Sequence, residues 1–235
     1  MDNHSENILK AQRAVNAAEA IIITAGAGMG VDSGLPDFRG NEGFWKAYPP
    51  VAKLGYDFTQ MANPSLFRHN PKLAWGFYGH RLNLYRSTVP HEGFKLLLDF
   101  VKEKDDNYFI FTSNVDGQFQ KAGFDEEKIY EVHGSIHYLQ CIQACKDEIW
   151  KNRLDDIEID MDILESKSLP KCKNCSELAR PNILMFGDWS FIGDRASQDE
   201  NTTLIRINPR EYEVNSGSIG VALGGAEGIK KVCEV

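Results

Sequence analysis

The stretch that decides the fold is IIITAGAGMG, residues 21–30. Its apolar start, Ile21 to Ile23, is typical of a strand buried on both faces of a parallel sheet. The strand runs directly into Gly26, Gly28 and Gly30, and glycine backbone at such a point can approach a pyrophosphate closely. A strand-to-helix turn that requires positive φ explains the glycines equally well. The spacing also differs from the dinucleotide pattern G-x-G-x-x-G, so this stretch alone leaves the ligand open.

Similar apolar runs recur along the chain and alternate with helical segments. The further strands are expected at Tyr108–Thr112, Lys128–Val132, Asn182–Phe186 and Thr203–Ile207. The helices are expected at residues 7–19, 93–102 and 117–123. This alternation predicts an α/β fold, with a Rossmann-like parallel sheet that carries helices on both faces.

Two segments do not fit the alternation and are expected to be insertions into the sheet domain. Residues 36–87 are rich in aromatic residues and in helical spacing, and we expect a helical module there. Residues 135–180 contain four of the five cysteines and are expected to form a second small module. The Rossmann-like domain would then comprise residues 1–35, 88–134 and 181–235.

The composition is that of a globular protein, with 42% hydrophobic and 26% charged residues in a chain of 235. The net charge of −8 argues against a nucleic-acid partner, because proteins that bind a phosphate backbone carry a basic surface. No stretch reaches the ~20 apolar residues that span a bilayer, and the N-terminus lacks the pattern of a secretory signal. We therefore expect a cytoplasmic protein with no membrane partner.

Four cysteines form two closely spaced pairs, Cys141-x3-Cys145 and Cys172-x2-Cys175. Pairs with such spacing can close a tetrahedral Zn²⁺ site, whereas four unrelated thiols would rarely be spaced in this way. Four sulfur ligands leave no open position, so the zinc is expected to be structural. Cys233 lies outside the two pairs.

Four motifs occur in the order in which the sirtuins, the NAD-dependent protein deacylases, carry them. GAGMGVDSGLPDFRG (26–40) resembles the first sirtuin signature and TSNVDGQFQKAG (112–123) the second. EVHGS (131–135) is similar to the motif of the catalytic histidine, and RPNILMFGDW (180–189) to the segment that binds the substrate. Together the matches extend from about residue 7 to the C-terminus.

This resemblance implies a set of binding and catalytic residues. The NAD site would comprise Gly26, Ala27, Gly28, Asp37, Phe38, Arg39, Ser113, Asn114, Asp116 and Asn208. Asn114 and Asp116 would hold nicotinamide and its ribose, and Ser113 stands where the family usually has glutamine. Acylated-lysine proteins or peptides would pair with Leu184, Met185, Phe186 and Gly187 by strand addition.

The resemblance also implies the reaction, in which the acyl oxygen of a modified lysine displaces nicotinamide from NAD. A ribose oxygen then attacks the imidate carbon that forms, and water releases the lysine, so the products are nicotinamide, the free lysine and O-acyl-ADP-ribose. Such chemistry needs good positioning and one base, and His133 is the residue that would accept a ribose hydroxyl proton. A lone histidine is usually a packing residue, and we interpret His69, His80 and His91 in that way.

Tyr78 and Arg81 bear on the identity of the acyl group. They are three residues apart, so on a helix they share a face, where arginine and a phenol can hold a carboxylate. The pair resembles the acyl pocket of sirtuins that remove succinyl, malonyl or glutaryl groups. An exposed arginine beside a packed tyrosine remains the alternative, and with it a preference for acetyl-lysine.

The chain departs from the family pattern most clearly near residues 198–200. There the sequence leaves no room for the strand–helix–strand unit, of roughly 30 residues, that normally completes the NAD site. Two other functions therefore remain open. One is a mono-ADP-ribosyltransferase or NAD hydrolase, and the other is an inactive NAD-binding variant.

Overall fold

A computed structural model describes residues 3–37, 40–193, 205–207, 219–221 and 225–233 of the chain. The α-helices are α1 (Asn3–Ala17), α2 (Gly40–Ala47), α3 (Pro49–Leu54), α4 (Phe58–Met61), α5 (Pro64–His69), α6 (Pro71–Ser87), α7 (Glu92–Lys102), α8 (Gln118–Ala122) and α9 (Gly225–Cys233). Two 3₁₀ helices cover Ala27–Ser33 and Glu126–Lys128. The strands are β1 (Ile21–Ala25), β2 (Tyr108–Thr112), β3 (Ile129–Glu131), β4 (Gly134–Cys141), β5 (Ile149–Lys151), β6 (Ile159–Asp160), β7 (Glu165–Ser166), β8 (Ala179–Ile183), β9 (Ile205–Ile207) and β10 (Ile219–Val221).

The predicted parallel sheet is present, with β2 between β1 and β3. In register, Ala25 of β1 lies opposite Thr112 of β2, which lies opposite Glu131 of β3. The sheet's core packs Ile110 against Phe94 and Val101 of α7 and Phe119 of α8. This arrangement confirms the α/β fold and the strand at residues 108–112.

The described residues bury the two faces of the sheet unequally. The side chains of Ile22 and Phe111 point to the opposite face from this core, and they are 41% and 40% exposed. Among the described residues, the helices that contribute to the sheet's core cluster therefore leave the other face only partly covered. The helices of this core cover the face formed by Ile21, Ile23 and Ile110.

The prediction of a strand at Asn182–Phe186 in the parallel sheet is wrong, both in the bounds of the strand and in the sheet to which the strand belongs. The strand observed there is β8, which ends at Ile183 and pairs antiparallel with β4 in a sheet that also contains β5. All residues of β8 are buried, whereas Leu184 and Phe186 are 40% and 50% exposed. The apolar character of residues 184–186 therefore does not reflect burial in the core, which is why the pattern misplaced the strand.

The helical segment and the cysteine-containing segment share one hydrophobic core. Phe44, Trp75 and Phe77 from the first pack in one cluster with Ile136 and Leu164 from the second. Close packing is required where α6 meets β7, because a Cβ at position 76 would lie 1.9 Å from the carbonyl oxygen of Leu164. Only glycine fits at this position, and α6 therefore lies directly against the second segment.

The last described elements lie beside the sheet. Strands β9 and β10 pair in parallel, and α9 contacts α1 and α7. The backbone N–H of Ala226 donates a hydrogen bond to Asp32 Oδ2 at 2.9 Å. The shortened region expected near residues 198–200 lies outside the described residues. None of the helices in the described ranges combines the length and apolar character that crossing a bilayer requires.

A buried ion pair fixes the segment that follows β8. The side chains of Arg180 and Asp188 are both 0% exposed, and Nη2 of the arginine lies 2.7 Å from Oδ2 of the carboxylate. Arg180 Nη1 also donates to the carbonyl of Ile183 at 3.1 Å. The turn at residues 184–188 is thereby tied back to the strand from which it emerges.

Removing one partner of this pair should be costly, because it leaves the other charge buried without compensation. We expect Arg180→Met to lower the free energy of unfolding by roughly 3–5 kcal/mol. The matched control is Lys167→Met, which breaks the exposed Lys167–Glu158 pair and should cost less than ~1 kcal/mol. Denaturant titration of the zinc-loaded protein measures both values. Equal losses in the two variants would contradict a stabilising role for the buried pair.

Candidate functional site

Three loops meet at the carboxyl edge of the parallel sheet. Gly26 follows β1, the segment Ser113–Asp116 follows β2, and His133 follows β3. The first two loops are joined by hydrogen bonds, because Asn114 Nδ2 donates to the carbonyl of Gly26 at 2.9 Å and the N–H of Ser113 donates to the carbonyl of Ala25 at 3.0 Å. In α/β proteins this edge of a parallel sheet is where ligands bind.

The backbone geometry tests one of the two explanations of the glycine-rich stretch. Gly26 has φ −131°, and neither Gly28 nor Gly30 adopts positive φ. The explanation by a turn with positive φ is therefore wrong for these three residues, and Gly34, with φ 88°, is the one that adopts it. Gly30 is buried and packs closely against Leu35, since a Cβ there would lie 3.0 Å from Leu35 Cδ1.

His91 holds the glycine-rich loop in place, a role that the sequence did not reveal. Its Nδ1 accepts a hydrogen bond from the N–H of Gly93 at 3.0 Å, so the proton of the neutral ring lies on Nε2, which donates to the carbonyl of Met29 at 2.9 Å. The N–H of His91 also donates to Ser33 Oγ at 3.0 Å. These contacts connect α7 to both halves of the 3₁₀ helix. The partners are about 60 residues distant in sequence, so no local pattern indicated them.

Asp116 is buried at the end of the second loop. It is 9% exposed, its Oδ1 accepts a hydrogen bond from the N–H of Gln118 at 2.9 Å, and burial raises its pKa. His137 Nε2 donates to the carbonyl of Asp116 at 2.9 Å, and burial lowers the pKa of this histidine. The ring is therefore neutral near pH 7, and its single N–H is committed to the Asp116 backbone.

His133 lies at the surface, beside the segment expected to bind substrate. Its side chain is exposed, and its backbone carbonyl accepts a hydrogen bond from the N–H of Leu184 at 2.9 Å. The next residue, Gly134, has φ 73°, and a Cβ there would lie 2.1 Å from the carbonyl oxygen of Asn182. Glycine at position 134 therefore allows β8 to approach closely enough to bring residues 184–187 to the histidine.

The segment Leu184–Gly187 presents alternate side chains to solvent. Leu184 and Phe186 are 40% and 50% exposed, whereas Met185 is 5% exposed and packs in the core. The N–H groups of Leu184 and Phe186 donate to His133 and Ala62 within the chain. A peptide that adds to this segment as a strand would therefore have to use its opposite edge.

Tyr78 and Arg81 are both buried on α6, with exposures of 1% and 7%. The alternative of an exposed arginine is therefore wrong. Cζ of Arg81 lies 5.6 Å from the centroid of the Tyr78 ring. The Tyr78 hydroxyl is buried and has no hydrogen-bond partner among the described residues, and burial raises its pKa to about 12. A neutral phenol and a guanidinium thus lie side by side, as the sequence predicted.

Three of the predicted NAD-binding residues cannot be placed. Phe38, Arg39 and Asn208 lie outside the described residues. Asp37, which precedes the first two, is half-buried.

The four cysteines come together in one cluster, as their spacing predicted. All four Sγ atoms lie within 4.8 Å of one another, with Cys141 3.6 Å from Cys175 and Cys145 3.7 Å from Cys172. Thiolates bound ~2.3 Å from a tetrahedral zinc ion would be roughly 3.8 Å apart. The donor set and its spacing therefore fit a zinc ion that ties β4 to the segment before β8.

Loss of one sulfur ligand should release the zinc ion and destabilise this module. We expect Cys172→Ser to reduce the zinc content from about one ion per chain to a small fraction, and to lower the midpoint of thermal unfolding. Cys233→Ser is the matched control, because Cys233 lies on α9, outside the cluster. Elemental analysis of the purified variants measures the metal. Full zinc content in the Cys172 variant would contradict the assignment.

The comparisons with known proteins agree with this geometry. The model of the Sir2 family matches residues 26–200. The NAD-dependent protein deacylase of Aquifex aeolicus is 34% identical over 168 residues, which cover 72% of this chain and 62% of that protein. A protein of the same name from Daphnia pulex is 28% identical over 229 residues, which cover 91% of this chain and 75% of that protein.

A solved structure, described as a complex of a Sir2 homologue with NAD, supports the fold alone. Its TM-score is 0.74 and its sequence identity is 20%, with 96% of this chain and 92% of that chain covered. The chain spans between 61% and 65% of the length of the first curated relatives that it matches.

Proposed function

Because this chain belongs to the Sir2 family, we propose that it is an NAD-dependent protein-lysine deacylase. It would act on acylated-lysine proteins or peptides. The observation that carries the proposal is the meeting of three loops at one sheet edge, with His133 beside the segment Leu184–Gly187. NAD would supply the bond to nicotinamide that the reaction breaks, and the residues of this chain would position the two substrates.

The loop after β1 and the loop after β2 are suited to hold NAD between them. Glycines 26 and 28 leave the backbone of the first loop open to a pyrophosphate. Asn114 and Asp116 would face nicotinamide and its ribose, and Ser113 would lie beside them. The hydrogen bond from Asn114 to Gly26 and the contact between His137 and Asp116 hold both loops in fixed positions. Such positioning is what the reaction requires, since no strong protein nucleophile takes part.

His133 would act as the general base. Histidine is a common general base in enzymes, and this side chain is exposed to solvent and to an incoming ligand. Its backbone contact with Leu184 would bring the acylated lysine and the ribose hydroxyl to the same place. The base would remove the proton of that hydroxyl, which then attacks the acyl carbon.

We expect His133→Ala to reduce formation of O-acyl-ADP-ribose by at least ~100-fold, because general base catalysis contributes at least that factor. The thermal midpoint should stay close to that of the parent chain, since the side chain is exposed. Mass spectrometry of nicotinamide, O-acyl-ADP-ribose and modified protein measures the outcome with acyl-lysine peptides. ADP-ribose found on protein, with no acyl transfer, would instead support a mono-ADP-ribosyltransferase. Absence of nicotinamide from the folded, zinc-loaded parent chain would contradict catalysis.

The acyl group is proposed to end in a carboxylate, as in succinyl- or malonyl-lysine. The support is the buried guanidinium of Arg81 beside the Tyr78 hydroxyl, which has no hydrogen-bond partner among the described residues. A buried hydroxyl without a partner is destabilising, and a bound carboxylate would accept its hydrogen bond. The same carboxylate would compensate the charge of the arginine.

We expect Arg81→Met to reduce kcat/KM for a succinyl-lysine peptide by roughly 30-fold or more, because it removes a hydrogen-bonded charge partner. The loss on the matched acetyl-lysine peptide should be less than a few-fold, since methionine preserves the apolar volume. Steady-state kinetics on the two peptides measures the ratio. Equal losses on both would show that Arg81 does not select the acyl group.

A further inference from the structure

Arg81 is held by a second tyrosine, one turn further along α6. The hydroxyl of Tyr85 accepts hydrogen bonds from Nε of Arg81 at 3.0 Å and from Nη2 at 2.7 Å. Cζ of the arginine also lies 5.3 Å from the centroid of the Tyr85 ring. Tyr85 is 5% exposed, so this contact is made away from solvent.

Two hydrogen bonds to one oxygen fix the plane of the guanidinium. The Nε and Nη2 groups lie on one edge of the planar fork, and holding that edge sets the direction in which the other edge points. An arginine side chain otherwise retains considerable rotamer entropy, which would be lost each time a ligand bound. Tyr85 thus orders Arg81 before any acyl group arrives.

Tyr85 holds Arg81 with a neutral phenol, which places no negative charge beside the guanidinium. Burial raises the pKa of Tyr85, so its hydroxyl stays protonated near neutral pH. A carboxylate at this position would orient the guanidinium but would also cancel its charge. A phenol orients the guanidinium without placing a carboxylate at this contact.

Tyr85 is itself fixed to the loop that follows β2. Its backbone carbonyl accepts a hydrogen bond from Gln118 Nε2 at 3.3 Å, and the N–H of Gln118 donates to Asp116 Oδ1 at 2.9 Å. These hydrogen bonds therefore link the position of Tyr85, and with it the orientation of Arg81, to the loop that carries Asn114 and Asp116. These contacts join the helix of the acyl pocket to the edge of the parallel sheet.

We propose that Tyr85 is a positioning residue that orients Arg81 toward the carboxylate of an acidic acyl group, and so determines specificity for such groups. This inference rests on the proposed function, because it presupposes that Arg81 faces the acyl chain. It adds a residue that neither the Tyr78–Arg81 spacing nor the motifs indicated. The structural signal is the pair of hydrogen bonds from a buried cation to a single phenol.

The test is Tyr85→Phe, which removes the hydroxyl oxygen and keeps the ring against the guanidinium. We expect the KM for a succinyl-lysine peptide to rise about tenfold, while its kcat and the KM for the acetyl-lysine peptide change less than about twofold. The matched control is Tyr108→Phe, which removes a similarly buried hydroxyl that accepts a hydrogen bond from the N–H of Asp125 at 3.0 Å in the other core. The control should leave both KM values unchanged.

The parent chain and Arg81→Met are measured beside these variants, so that the two hypotheses can fail separately. If the parent prefers succinyl-lysine and Arg81→Met abolishes that preference, the acidic acyl pocket stands. An unchanged succinyl KM in Tyr85→Phe then overturns the positioning role alone. A lower succinyl KM also overturns it, since it would mean that Tyr85 competes with the acyl carboxylate. A parent chain without preference for succinyl-lysine overturns both hypotheses. Equal losses on both peptides in Tyr85→Phe would show a purely structural role.

Discussion

The parallel register of β1, β2 and β3 is the constraint on which the rest of the site depends. Ala25, Thr112 and Glu131 lie opposite one another, so the residues that follow them leave the sheet at the same height. A shift of one residue in this pairing would turn alternate side chains to the wrong face and move the loop after β2 away from Gly26. The hydrogen bond between Asn114 and Gly26 exists because the register places both loops at one edge.

The hydrophobic core around α6 connects the parallel sheet to the residues that are proposed to bind the substrate. Helix α6 packs against β7 at Gly76, where only glycine fits, and its opposite end reaches Gln118 through the Tyr85 carbonyl. Between these two contacts lie Tyr78 and Arg81, so their positions are fixed from both ends of the helix. Dense packing of aromatic rings around α6 leaves little freedom for either side chain. The proposed acyl pocket is therefore positioned by the same contacts that stabilise the fold.

The sequence predicted the parallel sheet and the cysteine cluster well, because both leave short-range signals. Apolar runs mark the strands, and the spacing of Cys141, Cys145, Cys172 and Cys175 marks the cluster. The strand at β8 was misplaced because Leu184 and Phe186 are apolar without being buried. The role of His91 depends on partners about 60 residues distant, which no local pattern reveals. Tyr85 had a weak local signal, its position four residues after Arg81, but its significance depends on burial that only the packed structure provides.

Two buried arginines differ in the groups to which they donate hydrogen bonds. Arg180 donates to the carboxylate of Asp188, an interaction in which each charge compensates the other, and the result is a fixed turn. Arg81 donates to the phenol of Tyr85, a contact that sets direction and supplies no opposite charge. Under the proposed function, a guanidinium held in this direction would attract the carboxylate of an acyl group, and the Tyr78 hydroxyl, which has no hydrogen-bond partner among the described residues, would donate to the same carboxylate.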